Sequence, residues 1–261
     1  FDEKKISKLY VFSSKKIIRE LNIKNDKVIT ITHKFLNRGL FYRIFWQIFI
    51  LNSFLKQFNC TVLFVPGGYF FFKKLPTFIL IQNLLPFVKR PEYSETISAK
   101  IKNIILEYLH VKSIKKSNGV IFLSKHTKNI FRMYKKPKII IPHGIEKQFF
   151  LKKKSFKTRQ KNNKIKILYL SKFEGYKNHK NVILSVYNLL KKNYRISITL
   201  VGLENLGDKD PKLLNLVNDI NYDYPNSIIL QKLTKHNDVH KIYRNYDLHV
   251  FGSMCESFGI I

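Results

Sequence analysis

The hydrophobic positions of this chain fall into short runs separated by stretches with helical spacing. "KVITITH" (27–33), "CTVLFVPGG" (60–68), "FILIQNLLP" (78–86), "GVIFLS" (119–124) and "PKIIIPHG" (137–144) each read as a strand. The third run stops before Pro86, which cannot continue a ladder. Between these runs Phe41, Ile44, Phe45, Ile48, Phe49, Leu55 and Phe58 recur three to four apart, the apolar face of a helix over 41–58. Residues 95–117 read as a long basic amphipathic helix with Ile97, Ile101, Ile104, Ile105, Tyr108 and Leu109 inward, and "KHTKNIFRMY" (125–134) as a shorter one.

The pattern breaks over 145–164, where "EKQFFLKKKSFKTRQKNNK" is dense in charge and has no period, as a linker would. Alternation then restarts. "KIKILYLS", "ISITLVG", "SIILQ" and "DLHVFGS" read as strands, and 178–192, 209–222 and 235–246 as helices, the first with Val182, Ile183, Val186, Leu189 and Leu190 inward. Strand–helix alternation on both sides of a linker predicts two doubly wound, mostly parallel α/β domains. Their expected bounds are 1–144 and 165–261, joined by a 145–164 linker. Ligands in such sheets sit beyond the carboxyl ends of the strands, here expected in the cleft between the domains.

Composition narrows the partner. Lys and Arg total 48 against 17 acidic residues, a net charge of +31. The excess fits a polyanion: nucleic acid, an anionic membrane surface or a phosphorylated ligand. It also fits a compositional drift, because Lys, Asn, Ile and Phe are inflated together. The basic residues form no aromatic-interleaved patch, which argues against nucleic acid. Cys60 and Cys255 stand far apart and in no metal-ligand spacing, so neither a disulfide framework nor a structural metal is expected, and a reducing compartment is. The longest apolar stretch, "LFYRIFWQIFILNSFL", is interrupted by Arg43, Gln47 and Asn52 and is too short and polar to span a bilayer. Trp46, on its apolar side, reads as a core or membrane-facing residue. The chain starts without Met and stops at "CESFGII", which reads as a sequence cut at both ends.

Three segments at strand ends could carry chemistry. In "LYLSKFEGYKNHKNV", Lys172 follows a strand and Lys177 precedes a helix, a placement suited to a diphosphate at a helix N-terminus. In "TLVGLENLG", Gly202 ends a strand and permits close backbone approach. In "YDLHVFGSMCESFGI", Glu256 lies in a loop after a strand, where a carboxylate can accept hydrogen bonds from sugar hydroxyls.

Taken in order, "IPHGI", "LYLSKFEGYKNHKNVI", "ISITLVG" and "YDLHVFGSMCESFGI" resemble the group 1, family 4 retaining glycosyltransferases of GT-B fold. The resemblance covers the chain from about Ile139 onward. It is looser over "IQNLLPF" and "VIFLSKHTKNIF", which are similar to segments of lipopolysaccharide and O-antigen members. It implies that Lys177 and Glu256 are the catalytic residues, and that Lys172, Lys177, Gly202, Glu256, Ser257, Phe258, Gly259 and Ile260 bind the donor. A second glutamate would lie downstream of Ile261. Where relatives carry Gly-Arg this chain has Ser171-Lys172, which lacks the guanidinium fork. Where many carry His-Asp it has Gln82-Asn83, so these can position but not act as a base. The N-terminal Gly-rich loop of relatives is not found in residues 1–40.

His143 reads either as a turn residue or as a residue facing the donor, Gly144 as the source of an unusual turn, and Ser124 with Lys125 as strand-end binding candidates. The function so implied is hexosyl transfer, with retention, from a nucleotide-diphosphate sugar to a saccharide acceptor, lipid-linked and part of a surface polysaccharide. No metal and no cofactor are expected. The implied location is cytoplasmic, peripheral on the inner face of the membrane, with helices 41–58 and 95–117 against anionic headgroups. The rival readings are another GT-B nucleotide-sugar enzyme, epimerase-like or glycogen-synthase-like, and a non-enzymatic basic polyanion-binding module.

Overall fold

The computed structural model describes residues 5–71, 74–88, 96–150, 164–203 and 205–259. Its elements run β1 (Leu9–Phe12), α1 (Lys15–Leu21), β2 (Val28–Ile31), α2 (Leu40–Phe49), α3 (Leu51–Gln57), β3 (Leu63–Val65), β4 (Thr77–Ile81), α4 (Ile97–Lys116), β5 (Gly119–Phe122), α5 (Lys125–Ile130) and β6 (Lys138–Ile140). They continue with β7 (Ile165–Leu170), α6 (His179–Lys191), β8 (Ile196–Val201), α7 (Leu206–Lys209), α8 (Pro211–Asp223), β9 (Ile228–Gln231), α9 (His236–Tyr243) and β10 (Leu248–His249). By contact density the chain forms two compact units. One holds 1–80, 108–121 and 132–139; the other holds 81–107, 122–131 and 140–261.

The strands form a β1-β2 pair, a sheet ordered β3-β4-β5-β6 and a sheet ordered β10-β7-β8-β9. β1 pairs with β2, β3 with β4, and β7 with β8 and with β10, all parallel, as does β8 with β9. Parallel neighbours need crossover connections, and α6, the α7–α8 pair and α9 supply them in the last sheet. There the chain steps outward from β7 to β8 to β9, then returns to place β10 on the other side of β7. That reversal is a topological switch point, and the loops after β7 and β10 open a crevice there.

All six residues of β8 are buried, as a central parallel strand covered on both faces requires. Ile167, Tyr169, Ile198 and Leu200 pack with Val182, Ile183, Val186 and Leu190 of α6 and with Leu213, Val217 and Ile220 of α8. On the opposite face Leu168, Leu170 and Val201 meet Val239 of α9. In the first unit Trp46 is buried with Leu36, Leu51 and Leu55. It is a core residue.

Several sequence expectations change. The helix over 41–58 is two helices, α2 and α3, broken at Ile50. β1 and α1 were not evident in the pattern. Ser14 caps α1, its Oγ accepting from the Ile17 amide. Leu189 of α6 is exposed. The largest correction concerns α4. Ile97, Ile101, Ile104, Ile105 and Tyr108, expected inward, are 50–78% exposed. Leu106, His110, Ser113, Ile114 and Ser117 are buried in their place.

Every non-glycine residue with positive φ among the described residues is an asparagine: Asn22, Asn59, Asn178, Asn193 and Asn226. Asn193 closes α6, its amide donating to the Leu190 carbonyl while Tyr194 N donates to Leu189. At φ 63 a Cβ without a locally bonding side chain is disfavoured. Asn193→Ala is expected to lower stability by about 1 kcal/mol, and Asn193→Gly to leave it unchanged or higher, as read by thermal melting.

Candidate functional site

The loops after β7 and β10 meet at the switch point. β7 ends at Leu170, and the chain passes through Ser171–Glu174 into a tight turn at Gly175–Lys177, then enters α6 at His179. Asn178 makes that entry possible by taking φ 61, a left-handed conformation that asparagine tolerates. The Tyr169 hydroxyl donates to the Lys177 carbonyl, tying the turn back to the strand. Burial pushes the Tyr169 phenol up to about 12, so it remains a donor.

The β10 loop comes against this turn. Gly252 lets the two loops close: an added Cβ would lie 2.6 Å from Val182 Cγ2, and that buried side chain would have to shift to admit it. Met254 N then donates to the Tyr176 carbonyl. These contacts place Glu256 beside Lys177, with Lys177 Nζ donating to Glu256 Oε1 at 2.5 Å. Ser253 Oγ donates to the same oxygen at 2.8 Å. The ammonium lies 5.1 Å from the Tyr176 ring centroid and 6.0 Å from that of Phe251. The pair is half-buried, with side-chain exposures of 16% and 26%, so both groups remain within reach of a ligand.

The other expected residues distribute around this pair. Lys172 is exposed and, with Gly202, lines a pocket of about 130 Å³ completed by Phe173, Glu174, Asn205, Lys209 and Leu233. Gly202 holds φ +101, and a Cβ there would sit 2.6 Å from the Ser171 carbonyl, so the β7 and β8 ends approach as closely as glycine alone permits. The Ser257 carbonyl accepts from Ser124 Oγ at 2.7 Å and Thr127 Oγ1 at 2.9 Å, both at the start of α5. The Phe258 ring packs edge-on to the exposed His143 imidazole, centroids 5.8 Å apart. Gly259 takes φ +77, and Ile260 lies outside the described residues.

Four expected residues find no place in the group. Gln82 and Asn83 are exposed, and Asn83 Oδ1 accepts from Leu85 N in a local turn. Among the described residues neither hydrogen-bonds to the Lys177–Glu256 pair. Gly144 supplies no special turn: it is not among the positive-φ glycines, and a Cβ there would meet nothing within 4 Å. Lys125 is exposed in the first turn of α5.

His179 was not singled out from the sequence. It is 2% exposed, with Nε2 3.0 Å from Ser171 Oγ. Its ring lies between those of Tyr169, at 4.9 Å, and Phe173, at 5.5 Å. Ser171 Oγ donates onward to the Lys172 carbonyl, which assigns the imidazole proton to Nε2. Nδ1 is buried without a partner. Burial, with the Lys177 charge adding to it, lowers the imidazole to about 4, so it is neutral at pH 7. "KNHKN" carried the residue in plain sight, but nothing in its spacing distinguished it from a solvated helix start.

A basic turn at a helix N-terminus, facing a carboxylate across the switch point of a parallel sheet, is an arrangement that can hold a phosphate on one side and hydroxyls on the other. The class of protein is an α/β protein with parallel sheets of GT-B type. Residues 151–261 match the family model described as "Glycosyl transferases group 1". Among solved structures the chain is similar to a sucrose-phosphate synthase from Thermosynechococcus elongatus, with TM-score 0.66, 13% identity, and coverage of 91% of this chain and 63% of that one. It is also similar to a glycosyltransferase from Rickettsia africae, with TM-score 0.59, 15% identity and coverage of 97% and 66%. A third is TarM of S. aureus, solved with UDP and alpha-GlcNAc-glycerol, with TM-score 0.51, 16% identity and coverage of 94% and 40%. At such identities the likeness is one of fold. The chain thus spans less than two thirds of the synthase and of TarM. No protein of curated function matches the sequence.

Proposed function

We propose that the chain forms the donor site of a retaining glycosyltransferase that moves a hexosyl unit from a nucleotide-diphosphate sugar to a lipid-linked saccharide, in surface polysaccharide synthesis at the inner face of the cytoplasmic membrane. The observation that carries this reading is the Lys177–Glu256 contact at the switch point. In this reading the Lys177 ammonium and the start of α6 neutralise the departing diphosphate. Glu256 accepts hydrogen bonds from the donor's sugar hydroxyls and fixes its orientation. The Ser257–Gly259 backbone, turned by the Ser124 and Thr127 hydroxyls, lies where amides can meet the sugar and phosphates. TarM, solved with UDP, supports a nucleoside diphosphate as the leaving group. No divalent ion takes part, so chelation is expected to leave turnover unchanged.

The test is thermal melting and calorimetry of the chain with UDP, GDP and inorganic pyrophosphate. A nucleoside diphosphate is expected to raise the melting temperature more than pyrophosphate at equal concentration. Stabilisation by any polyanion alike, DNA included, with a steep loss in salt, would overturn the reading in favour of a basic polyanion-binding module.

A further inference from the structure

The exposed side of α4 is an apolar stripe in a strongly basic setting. Ile97, Ile101, Ile104, Ile105 and Tyr108 recur at three- and four-residue steps, so they share one face of the helix. Leu106, His110, Ser113 and Ser117 lie about half a turn round and are buried. That inner face is anchored: Ser113 Oγ accepts from Phe70 N at 3.0 Å and donates to the Leu109 carbonyl at 2.7 Å. The stripe therefore cannot be turned inward without breaking a buried polar contact. Four isoleucines and Tyr108 at 50–78% exposure on a stretch of about 16 Å form a contiguous apolar surface of the kind that marks an interaction site.

The charges around the stripe select its partner. α4 carries Lys100, Lys102, Lys112, Lys115 and Lys116, all exposed, against the single acid Glu107. A second copy laid along the stripe would bring like charges together, and each chain carries +31. An anionic lipid surface instead takes the isoleucines into the acyl boundary, while the lysines extend to the headgroups. Lys112 Nζ lies 5.6 Å from the Tyr108 ring centroid, which sets an aromatic ring and an ammonium together at the depth where both are favoured.

We infer that α4 is a membrane-contact helix, lying in the plane of an anionic leaflet on its Ile97–Tyr108 face. The inference adds a named surface to the membrane placement in the proposed function, and it rests on that reading only for which leaflet is met.

The experiment is flotation of the chain with vesicles of phosphatidylcholine alone and of phosphatidylcholine with phosphatidylglycerol. The parent is expected to float with the anionic vesicles and not with the neutral ones. The I101S/I104S/I105S variant is expected to partition at least about tenfold less. Its melting temperature should be unchanged, because the replaced side chains are exposed. Lys100→Glu with Lys112→Glu is expected to weaken flotation chiefly at low salt. A serine variant that floats as the parent does would overturn the inference. So would a parent that stays at the bottom, or a parent dimer that the serine variant converts to monomer, which would assign the stripe to self-association. The assay contains no nucleotide, so a chain that fails to float yet still binds UDP or GDP loses this inference and keeps the donor site.

Discussion

Lys177→Ala is expected to remove most of the affinity for UDP or GDP, whereas Glu256→Gln is expected to increase it. In the unliganded chain the ammonium is already engaged, donating to Glu256 Oε1 at 2.5 Å. A diphosphate arriving at the turn must share that ammonium with a carboxylate. Removing the lysine removes a charge-assisted hydrogen bond of about 1.5–3 kcal/mol, or roughly 10–100-fold in Kd. It also leaves Glu256 facing the incoming phosphates with its charge uncompensated. Glu256→Gln acts the other way, because it frees the ammonium and removes a like charge from the anion's surroundings. A few-fold tighter Kd for the bare diphosphate is expected, on the order of 1 kcal/mol.

With the complete nucleotide sugar the sign should reverse. The carboxylate accepts from sugar hydroxyls in the proposed site, and an amide accepts less well. Glu256→Gln is therefore expected to bind the nucleotide sugar more weakly than the parent does while binding the diphosphate more tightly. Calorimetry with both ligands on both variants reads this crossing. Parallel weakening of the two ligands in Glu256→Gln would show that Glu256 only braces the loop.

The reach of sequence reasoning varied with the physics behind each signal. β7 and β8 were legible because buried parallel strands are continuous apolar runs, and "ILYL" and "ITLV" have no other use. Lys177 and Glu256 were singled out by the resemblance, and their nearness was legible because parallel strands bring their carboxyl ends to one edge, whatever the distance in sequence between them. α4 was misread because its inner face is small and polar. His110, Ser113 and Ser117 are tolerated inside where backbone groups satisfy them, as at Phe70, and hydropathy cannot see those partners. The isoleucines gave the stronger period and pointed the other way.

Gly144 and Gly202 show the same limit in miniature. Both end apolar strands in the sequence, yet only Gly202 holds a positive φ against a neighbouring carbonyl. The break at Ile50 was hidden because Ile48, Phe49, Ile50 and Leu51 form one unbroken apolar run with no Gly or Pro to mark it.

Acid sensitivity should centre on His179. Its imidazole has a folded value of about 4 against 6.5 for the free side chain. The folded state therefore binds fewer protons than the unfolded state between those values, and stability rises with pH through that window. The stabilisation is complete above pH 6.5 and is lost as pH falls toward 4. A gap of this size corresponds to about 3 kcal/mol across the window. Burial is the larger cause and the Lys177 charge the second. The hydrogen-bond network supplies a matching reason: Nε2 already donates to Ser171, so a second proton would go to Nδ1, which has no acceptor. His179→Gln can still meet Ser171 Oγ and has nothing to titrate. It is expected to be less stable than the parent at pH 7, through lost packing between Tyr169 and Phe173, and to lose less on acidification. Urea unfolding of both proteins from pH 7 to pH 4 separates these effects, because every other acid-sensitive group is common to the two. If the parent and His179→Gln lose stability in parallel as the pH falls, the imidazole is already able to take up its proton in the folded chain. Protonation during acidification would also strike the donor site, since the new charge would arise beside Lys177 and repel its ammonium. Nucleoside-diphosphate affinity in the parent and in His179→Gln is accordingly expected to run together down to about pH 5 and to diverge only as pH approaches 4, where the folded imidazole takes up its proton.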